Sequence, residues 1–217
     1  MAAWTAAVLS PGYSAPMTAL TPTALTGRIV RLEPLSHDHK AGLIDAVTDG
    51  KLWNLWYTHI PTPEGMSAEI DRRLALQDAG SMIPFATRDL RPDRLIGMTT
   101  YMNIDASVPR VEIGSTWNAK SSQGTGTNAE SKLLLLAHAF EVWNCPAVEF
   151  RTSWHNRQSR AAIERLGAKL DGVLRQHSYT DDGSLRDTCV YSVIAAEWPQ
   201  VRASLRYRLG LDPRTAS

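Results

Sequence analysis

The sequence predicts a mixed α/β fold in one domain, and three features of its 217 residues carry that prediction. Three strand candidates follow one another between residues 83 and 117, a pattern typical of an antiparallel meander. A glycine-rich turn at residues 124–126 then opens a helical run that leads into a strand, which makes one β-turn-α-β unit. The last two strands are joined through residues 181–183, Asp-Asp-Gly, which are typical of a hairpin turn.

Residue alternation, helix caps and turn residues assign the elements in order. Residues 28–35 alternate with a period of two, which predicts a strand, and Ser36 is a candidate N-cap for a helix that reaches residue 49. A second helix is predicted over residues 67–78 and a terminal helix over residues 197–209. The other predicted elements are strands at 83–87, 95–104, 111–117, 147–152, 170–179 and 185–194, and helices from the glycine-rich turn to 143 and at 157–166. The predicted order is β-α-α-β-β-β-α-β-α-β-β-α.

A segment of different composition precedes these elements. Residues 1–22 are rich in Ala, Thr, Ser and Pro and have neither a basic n-region nor a long apolar run, so they do not predict a signal peptide. We expect residues 1–26 to be a disordered tail, residues 27–209 to form one domain and residues 210–217 to be a C-terminal tail. Met17 would serve equally well as the start of the protein.

The composition is that of a soluble protein with balanced charge. A formal net charge of +1 favours neither nucleic acid nor an anionic membrane surface as a partner, so any anion site must be local. The longest aliphatic run, Leu133–Leu136, is far short of the roughly 20 residues that span a bilayer. Two cysteines without metal-ligand spacing indicate a reducing compartment, which favours the cytoplasm. His37 and His39 form a lone His-x-His pair, and we predict no metal site.

The glycine-rich turn, residues 123–128, lies between a predicted strand and a predicted helix. Backbone amides in such a turn, with the positive end of the helix dipole, can hold a phosphate, and glycine lets the ligand approach closely. On this interpretation Gly126→Val should abolish binding, because a branched side chain would stand where the phosphate approaches. Thr127 and Glu130 also have the spacing of a capping box, which explains these two residue types without any ligand.

Two other phosphate-binding motifs fit the same glycines less well. The pattern Gly124-x-Gly126-x-x-Ala129 satisfies a loose dinucleotide fingerprint, which would indicate a nicotinamide-dependent oxidoreductase. That fingerprint belongs in a run of parallel βαβ units with an acidic residue about 20 positions on, and the run is missing here. A Walker loop would need Gly-Lys-Ser/Thr after the turn, and the sequence does not contain it.

Two motifs resemble the GNAT superfamily of N-acetyltransferases: Gln-x-x-Gly-x-(Gly/Ala) at residues 123–128, and Asn-x-x-Ser at residues 156–159, which starts a short helix ended by Leu-Gly. The resemblance covers about residues 27–209 and is strongest to the RimJ/RimL-type branch, which acetylates protein N-termini and some small amines. The segments similar to that branch are 111–114, 128–130, 156–159, 166–168, 183–187 and 197–199. Asn128 departs from the family pattern, since Gly or Ala is usual in that slot.

The resemblance implies a mostly antiparallel sheet, flanked by helices, whose two central parallel strands splay apart. It also implies acetyl-CoA as co-substrate, with its pyrophosphate on the turn formed by Gln123, Gly124, Thr125, Gly126, Thr127 and Asn128. Backbone groups of Ile113, Gly114 and Ser115 would meet the pantetheine arm, Asn156 would hydrogen-bond it from the other side, and Ser159 would lie near the sulfur. A homodimer is a further expectation from the family.

Acetyl transfer from a thioester to an amine needs a base, a donor for the developing oxyanion and help for the departing thiolate. Glu112 is our candidate base, because the family often places an acid on this strand; a solvated or ion-paired glutamate is the alternative. A backbone N–H near Gly114 is our candidate oxyanion donor. Ser159 is our candidate donor to the thiolate, although it also suits ordinary helix capping. The alternative donors are Tyr101, Tyr179 and Tyr191.

Trp53, Trp56 and Tyr57 occupy the region where the family builds its acceptor pocket, and aromatic walls suit a flexible amine; core packing is the alternative. We therefore predict an N-acetyltransferase that moves the acetyl group from acetyl-CoA to a primary amine, either a protein N-terminus or a small amine, by direct attack in a ternary complex. One alternative is a non-catalytic domain that binds acetyl-CoA or a partner, which Asn128 favours. The oxidoreductase is the other.

Overall fold

The computed structural model describes residues 21–180 and 182–215. The strands are β1 (Leu25–Thr26), β2 (Val30–Pro34), β3 (Met82–Asp89), β4 (Arg94–Asp105), β5 (Arg110–Asn118), β6 (Ala147–Ser153), β7 (Lys169–Tyr179) and β8 (Leu185–Ile194). The α-helices are α1 (Lys40–Thr48), α2 (Met66–Asp78), α3 (Thr127–Ala137), α4 (Arg157–Leu166) and α5 (Trp198–Arg208). These strands form one sheet in the order β1-β2-β3-β4-β5-β6-β8-β7.

One pair of neighbouring strands in the described sheet, β5 and β6, is parallel, and the others are antiparallel. The parallel pairing ends where Glu112 lies opposite Glu149. Both strands continue beyond this point, to Asn118 and Ser153, without pairing with each other. The predicted mostly antiparallel sheet with splayed central parallel strands is therefore confirmed.

A bulge in β5 lies just beyond the last paired residues. Thr100 of β4 faces Gly114, whereas Met98 faces Trp117, so β5 has one residue more than β4 between these two pairs. Ser115 within the bulge has a φ of +45°. A bulge bends its strand and increases the local twist, and here it helps to turn β5 away from β6.

Helices cover both faces of the sheet and bury a separate core on each. On one face, α3, α4 and α5 pack on the central strands around Val111, Leu135 and Val148. On the other face, α1 and α2 pack on β3 and β4 around Val47 and Ile70. The α3 helix therefore reaches the sheet directly behind β4 and β5, at the place where the parallel strands part.

All twelve predicted elements are present, and most of their ends lie within two residues of the predicted ends. The α1 helix begins only at Lys40, after a 3-10 turn that follows Ser36, and α3 ends at Ala137, where a π-helical turn continues to Val142. The short strand β1 was not predicted: it pairs with β2, so the predicted tail over residues 1–26 is wrong at its C-terminal end, while residues 1–20 lie outside the described residues. At the other terminus, the Leu211 amide donates to the Arg206 carbonyl, so the first residues of the predicted tail pack on α5. The division into one domain between two tails stays a prediction.

The predicted capping box at the start of α3 is wrong. Gly126, not Thr127, is the N-cap residue of the helix. The buried Glu130 carboxylate instead accepts hydrogen bonds of 2.7–3.1 Å from the three backbone amides of residues 28–30. Because these amides begin β2, the carboxylate ties α3, and with it the preceding turn, to the sheet.

Candidate active site

The gap between β5 and β6 opens into a cavity of about 630 Å³. Its walls come from the parted strands, the turn before α3, the first turns of α4, the loop at residues 52–60, and the strand ends where β7 leads to β8. The predicted site residues that line it are Glu112, Ile113, Gly114, Ser115, Gln123, Gly124, Asn128, Asn156, Ser159 and Tyr57. Thr125, Gly126, Thr127, Trp53 and Trp56 do not line it. The fold thus brings two-thirds of the residues chosen from the sequence into one cavity.

The two glycines of the turn have different surroundings. Gly124 has a φ of +78°, lines the cavity, and has no atom within 4 Å of the place where a Cβ would stand. Gly126 has a φ of +92°, and a Cβ there would lie 3.5 Å from Ile29 Cδ1 and 3.7 Å from Leu209 Cδ2. A side chain at Gly126 would therefore point into the protein. The expectation that it would stand in the place of a ligand is wrong, and Gly124 is the position where a side chain would enter the cavity.

The turn presents backbone donors that the protein itself does not use. In the described part of the chain, the amides of residues 124–129 donate to no protein acceptor. The hydroxyls of Thr125 and Thr127 both donate to the Ser122 carbonyl, at 2.7 and 3.1 Å, and so leave these amides open. Free amides at the N-terminus of a helix, with the helix dipole behind them, suit an anion such as a diphosphate.

Side chains link the turn to the start of α4. Gln123 Nε2 donates to the Asn118 carbonyl at 3.2 Å, and Gln123 Oε1 accepts from Gln158 Nε2 at 3.2 Å. Asn156 is the N-cap of α4, and its Oδ1 accepts from the Ser159 amide at 3.0 Å. Asn156 therefore caps α4 through the Ser159 amide, so the helix-capping interaction considered for Ser159 is present. The Ser159 hydroxyl has no protein partner among the described residues, which leaves it open to the cavity.

Glu112 is buried on β5 beside the gap. Its Oε2 accepts a hydrogen bond of 2.7 Å from Asn103 Nδ2, and Arg151 Nε lies 3.6 Å away. Burial raises the pKa of Glu112, although the Asn103 bond and the Arg151 charge act against it. Gly114 leaves room for this carboxylate, since a Cβ there would come within 2.9 Å of Glu112 Oε1. A carboxylate of raised pKa in a cavity is suited to accept a proton near neutral pH.

Further charged groups surround this carboxylate. Arg151 contacts Glu149 as well as Glu112, and Arg110 Nη2 donates to Glu149 Oε2 at 2.8 Å. Arg186 lines the same cavity, and burial lowers its pKa while the charge of Glu112 opposes that effect. The buried Nε of Arg186 has no hydrogen-bond partner among the described residues. This end of the cavity therefore offers charges of both signs, one with an unused donor.

The three aromatic residues predicted to bind substrate divide between the cavity and its surroundings. Tyr57 lines the cavity. Trp53 packs against the core beneath α1 and α2, as the core-packing alternative expected. Trp56 is 65% exposed, and its ring centroid lies 5.6 Å from that of Tyr57 and 5.4 Å from that of His155. Of the three residues, the structure brings only Tyr57 to the cavity, and the role of this region in substrate binding stays a prediction.

Two buried cations beside the β5 bulge were not predicted from the sequence. Arg73 of α2 is 3% exposed and donates to Thr100 Oγ1 at 2.7 Å and to the Ser115 carbonyl at 3.1 Å, while pairing with Glu69. Lys132 of α3 is 5% exposed and lines the cavity from the opposite face of the sheet. The available signal was a lysine immediately before the leucine run of a helix that was predicted to be buried.

The described residues do not support the other classes of site. They contain no group of three or more His, Cys, Asp or Glu side chains placed to hold a metal ion. None of their helices is both long and apolar enough to cross a bilayer. The run of parallel βαβ units that a dinucleotide fingerprint requires is also missing from this sheet, because β5 and β6 are its one parallel pair.

Residues 30–169 match the family model for the acetyltransferase (GNAT) domain. The matched segment is more than half of the chain and contains both parted strands and the turn before α3. The chain belongs to the GNAT acetyltransferase family. The resemblance inferred from the sequence motifs is therefore confirmed.

Individual relatives agree with this assignment. A T. thermophilus protein, whose crystal structure is assigned to the acetyltransferases, is 32% identical, with a TM-score of 0.77 over 88% of this chain and 100% of that chain. YdaF of Bacillus subtilis (strain 168), whose name assigns it to ribosomal N-acetylation, is 33% identical over 104 residues, which are 48% of this chain and 56% of YdaF. Mycobacterium smegmatis RimJ, solved with a CoA-disulfide, shares the fold at 21% identity, with a TM-score of 0.73 over 87% of this chain and 95% of RimJ.

The acyl donor of GNAT acetyltransferases is acetyl-CoA, and the residues of this GNAT domain fit it. The open amides of residues 124–129 suit a diphosphate. Gly124 leaves the space that a Cβ would fill, and the gap between the strands exposes residues 113–115 to a slender, amide-bearing chain such as pantetheine. The open backbone amides and the shape of the cavity are therefore suited to the acetyl-CoA that this family uses.

Proposed function

We propose that this GNAT domain transfers the acetyl group of acetyl-CoA to the α-amino group of a protein N-terminus, by direct attack while both substrates are bound. The observation that carries the proposal is the position of Glu112, a buried carboxylate beside the gap between the parted strands. It lines the same cavity as the turn before α3 and the loop at residues 52–60. One candidate base is thus shared by the part of the cavity that would hold acetyl-CoA, at the turn, and the part that would hold the amine, at the loop.

When bound, acetyl-CoA supplies an activated thioester carbonyl. The turn at residues 123–128 would hold its diphosphate through the open backbone amides of residues 124–128, with Gly124 and Asn128 lining the cavity. Backbone groups of residues 113–115 would bind the pantetheine arm from one side. Asn156 would bind it from the other side through Nδ2, because its Oδ1 is used by the α4 cap. These residues would position acetyl-CoA and take no part in proton transfer.

Glu112 would accept the proton that the amine loses as it attacks. Near pH 7 an α-amino group with a pKa of about 8 needs about 1.4 kcal/mol to lose its proton, whereas a lysine with a pKa of about 10.4 needs roughly 4.6 kcal/mol. A carboxylate of raised pKa is a base strong enough to assist the first, which favours an N-terminus over a lysine side chain. A backbone amide near Gly114 would donate to the developing oxyanion.

Ser159 would donate to the departing thiolate. Its hydroxyl lines the cavity, whereas none of the three alternative tyrosines does. Tyr101 donates to a backbone carbonyl of α3, and Tyr191 donates to Glu164 Oε1 at 2.9 Å, so both hydroxyl protons have partners elsewhere. Tyr179 is 75% exposed. A thiol pKa of about 8.5 makes the thiolate a tolerable leaving group, so one hydrogen bond is enough help.

The acceptor end of the cavity supports a peptide. Tyr57 and the loop at residues 52–60 supply an apolar wall, while Arg186, which lines the same cavity, supplies a guanidinium group that would donate to a peptide carbonyl. The name of YdaF, which refers to ribosomal N-acetylation, points to the same class of acceptor. A protein N-terminus meets both requirements, since it joins a free amine to a backbone carbonyl.

A turnover screen tests this proposal. The full chain is incubated with acetyl-CoA and, separately, with peptides that differ in their first residue and with a set of small primary amines; coenzyme A release and product mass are measured. We expect turnover with a subset of the peptides. Turnover with small amines alone would contradict the acceptor class, and binding of acetyl-CoA without turnover on any amine would favour the non-catalytic alternative.

A further inference from the structure

Lys132 is a buried amine that has no counter-ion among the described residues. It lies in the second turn of α3, is 5% exposed, and precedes the leucines that pack against the sheet. Burial lowers its pKa to about 7, and no described carboxylate contributes to that shift. A charged group in such surroundings costs stability unless its donors are all satisfied.

Two of its three donors have protein partners. Lys132 Nζ donates to Thr99 Oγ1 at 2.9 Å and to Thr116 Oγ1 at 2.7 Å. The two threonine hydroxyls also lie 2.8 Å apart, and Thr116 Oγ1 donates to the Gly114 carbonyl at 3.2 Å. The threonines would therefore satisfy one another without the lysine. A protonated lysine carries three N–H donors, so one remains without a partner among the described residues.

The lysine lies where the acyl donor must pass. Thr99 belongs to β4 and Thr116 to β5, and they meet at the bulge that follows the last paired residues of β5 and β6. Lys132 lines the cavity there, on the opposite face of the sheet from Arg73, which holds the Ser115 carbonyl of the same bulge. The unused N–H is thus carried by a side chain that borders the gap between the strands.

A purely structural role does not explain a charge at this position. Methionine or leucine would pack among the apolar side chains of α3 without the cost of burying an ammonium group. In the protonated amine, the donor left over has no acceptor among the described residues and is available to a ligand in the cavity. The pantetheine arm of coenzyme A carries amide carbonyls that would accept this donor, and the proposed function places that arm in the gap.

We propose that Lys132 binds the pantetheine arm of coenzyme A, by donating its remaining N–H to a carbonyl oxygen of that arm at the β5 bulge. The assignment rests on the proposed function, because it assumes that coenzyme A occupies the gap. Lys132 is here a coenzyme-binding residue and takes no part in proton transfer. The nucleotide half of coenzyme A is held by the turn amides and does not depend on it.

Calorimetry on the full chain separates the two halves of the ligand. Coenzyme A and adenosine 3′-phosphate 5′-diphosphate, which lacks the pantetheine arm, are titrated into wild type, Lys132→Met and the control Lys40→Met, which removes an exposed lysine. Methionine is close to lysine in length but donates no hydrogen bond. Lys132→Met should bind coenzyme A about ten- to a hundredfold more weakly, the usual effect of losing a hydrogen bond to a charged group. Its affinity for the nucleotide, and both affinities of Lys40→Met, should be unchanged.

Equal affinity of wild type and Lys132→Met for coenzyme A would overturn the assignment. Equal weakening of both ligands would also overturn it, because it would mean that the lysine acts on the turn or on the fold. If the wild-type protein binds coenzyme A no more tightly than the nucleotide, the proposed contact with the pantetheine arm is wrong. If wild type binds neither ligand, the proposed function itself fails, and this outcome is distinct from the others.

A second measurement needs no variant. In protein labelled with carbon-13 at lysine Cε, the Lys132 resonance is recognised by its titration near neutral pH. Coenzyme A should shift this resonance, whereas adenosine 3′-phosphate 5′-diphosphate should leave it in place. A resonance that responds equally to both ligands, or to neither, would contradict contact with the pantetheine arm.

Discussion

The side-chain amide of Asn103 donates a hydrogen bond of 2.7 Å to Glu112 Oε2. This bond favours the ionised form of the Glu112 carboxyl group, whereas burial favours the protonated form. Burial has the larger effect, so the pKa of Glu112 is raised above its ordinary value. As a base, Glu112 acts only when it is ionised, above this raised pKa. The balance between burial and the Asn103 bond therefore sets the lowest pH at which the proposed reaction proceeds.

Replacement of the proposed base should remove this pH dependence. In wild type, kcat/KM should fall as the pH drops through the raised pKa of Glu112, because the protonated carboxyl accepts no proton. Glu112→Gln should lower kcat/KM by about 10²- to 10⁴-fold and abolish that limb of the pH profile. Steady-state rates across the acid range test both effects. An unchanged profile in the variant would assign the limb to another group.

Asn103→Gly should move the acid limb of the kcat/KM profile to higher pH. Asn103 has a φ of +49°, a conformation that glycine adopts without strain, so the exchange removes the amide donor and preserves the backbone. Loss of a hydrogen bond to the ionised form raises the pKa of Glu112 further, and the limb should move to higher pH. The same rate measurements, compared with wild type, show the direction. A shift to lower pH would refute the role given to Asn103.

Gly124 should tolerate a side chain structurally but not functionally. Gly124 and Gly80 have φ values of +78° and +74°, and neither has an atom within 4 Å of an added Cβ. Alanine at either position should therefore cost a similar amount of stability, about 1–2 kcal/mol. Only Gly124→Ala should weaken coenzyme A binding, by about ten- to a hundredfold, because its methyl group enters the cavity. Thermal unfolding and calorimetry measure the two effects, and equal coenzyme A affinity in both variants would contradict the placement of the diphosphate.

Lys132→Met should make the protein more stable. The pKa of Lys132 is lowered from 10.5 to about 7 in the folded protein, so below pH 7 the fold carries a buried ammonium at a cost. The variant should gain about 1–3 kcal/mol there. Between the folded and unfolded pKa values the unfolded chain binds the extra proton, so wild-type stability rises with pH and the gain of the variant shrinks.

Urea unfolding of wild type and Lys132→Met at several pH values between 6 and 10 checks this prediction. The exposed-lysine variant Lys40→Met serves as the control and should follow wild type throughout. A Lys132→Met variant that is less stable than wild type at pH 6 would show that the lysine stabilises the fold, and would remove the reason to seek a ligand for it.

Local signals in the sequence were enough for twelve of the elements and for the position of the glycine-rich turn. The turn at residues 123–128 lies between a clear strand and a clear helix, and its glycines and following helix identify it without any long-range information. The parting of β5 and β6 was available through the family resemblance alone, because no property of a single strand shows where its neighbour leaves it. Which glycine faces the cavity depends on the direction in which a Cβ would point, and only the backbone at Gly124 and Gly126 shows that.

The bulge and its two cations were beyond sequence analysis for a related reason. Nothing in the residues around Ser115 marks an extra residue in β5, since the bulge is defined by its register against β4. Lys132 meets Thr99 and Thr116, which are far from it in sequence, only because α3 lies across the sheet behind them. A lysine in an apolar helix was visible, but its partners were not.

Transfer of an acetyl group to an α-amine can be tested directly on a single pair of peptides. A peptide with a free N-terminus and one internal lysine, and the same peptide with a formylated N-terminus, are each incubated with the full chain and acetyl-CoA, and fragment-ion mass spectrometry locates the acetyl group. We expect acetylation of the first residue in the free peptide and none in the blocked one. Acetylation of the lysine in both peptides would contradict the proposed acceptor.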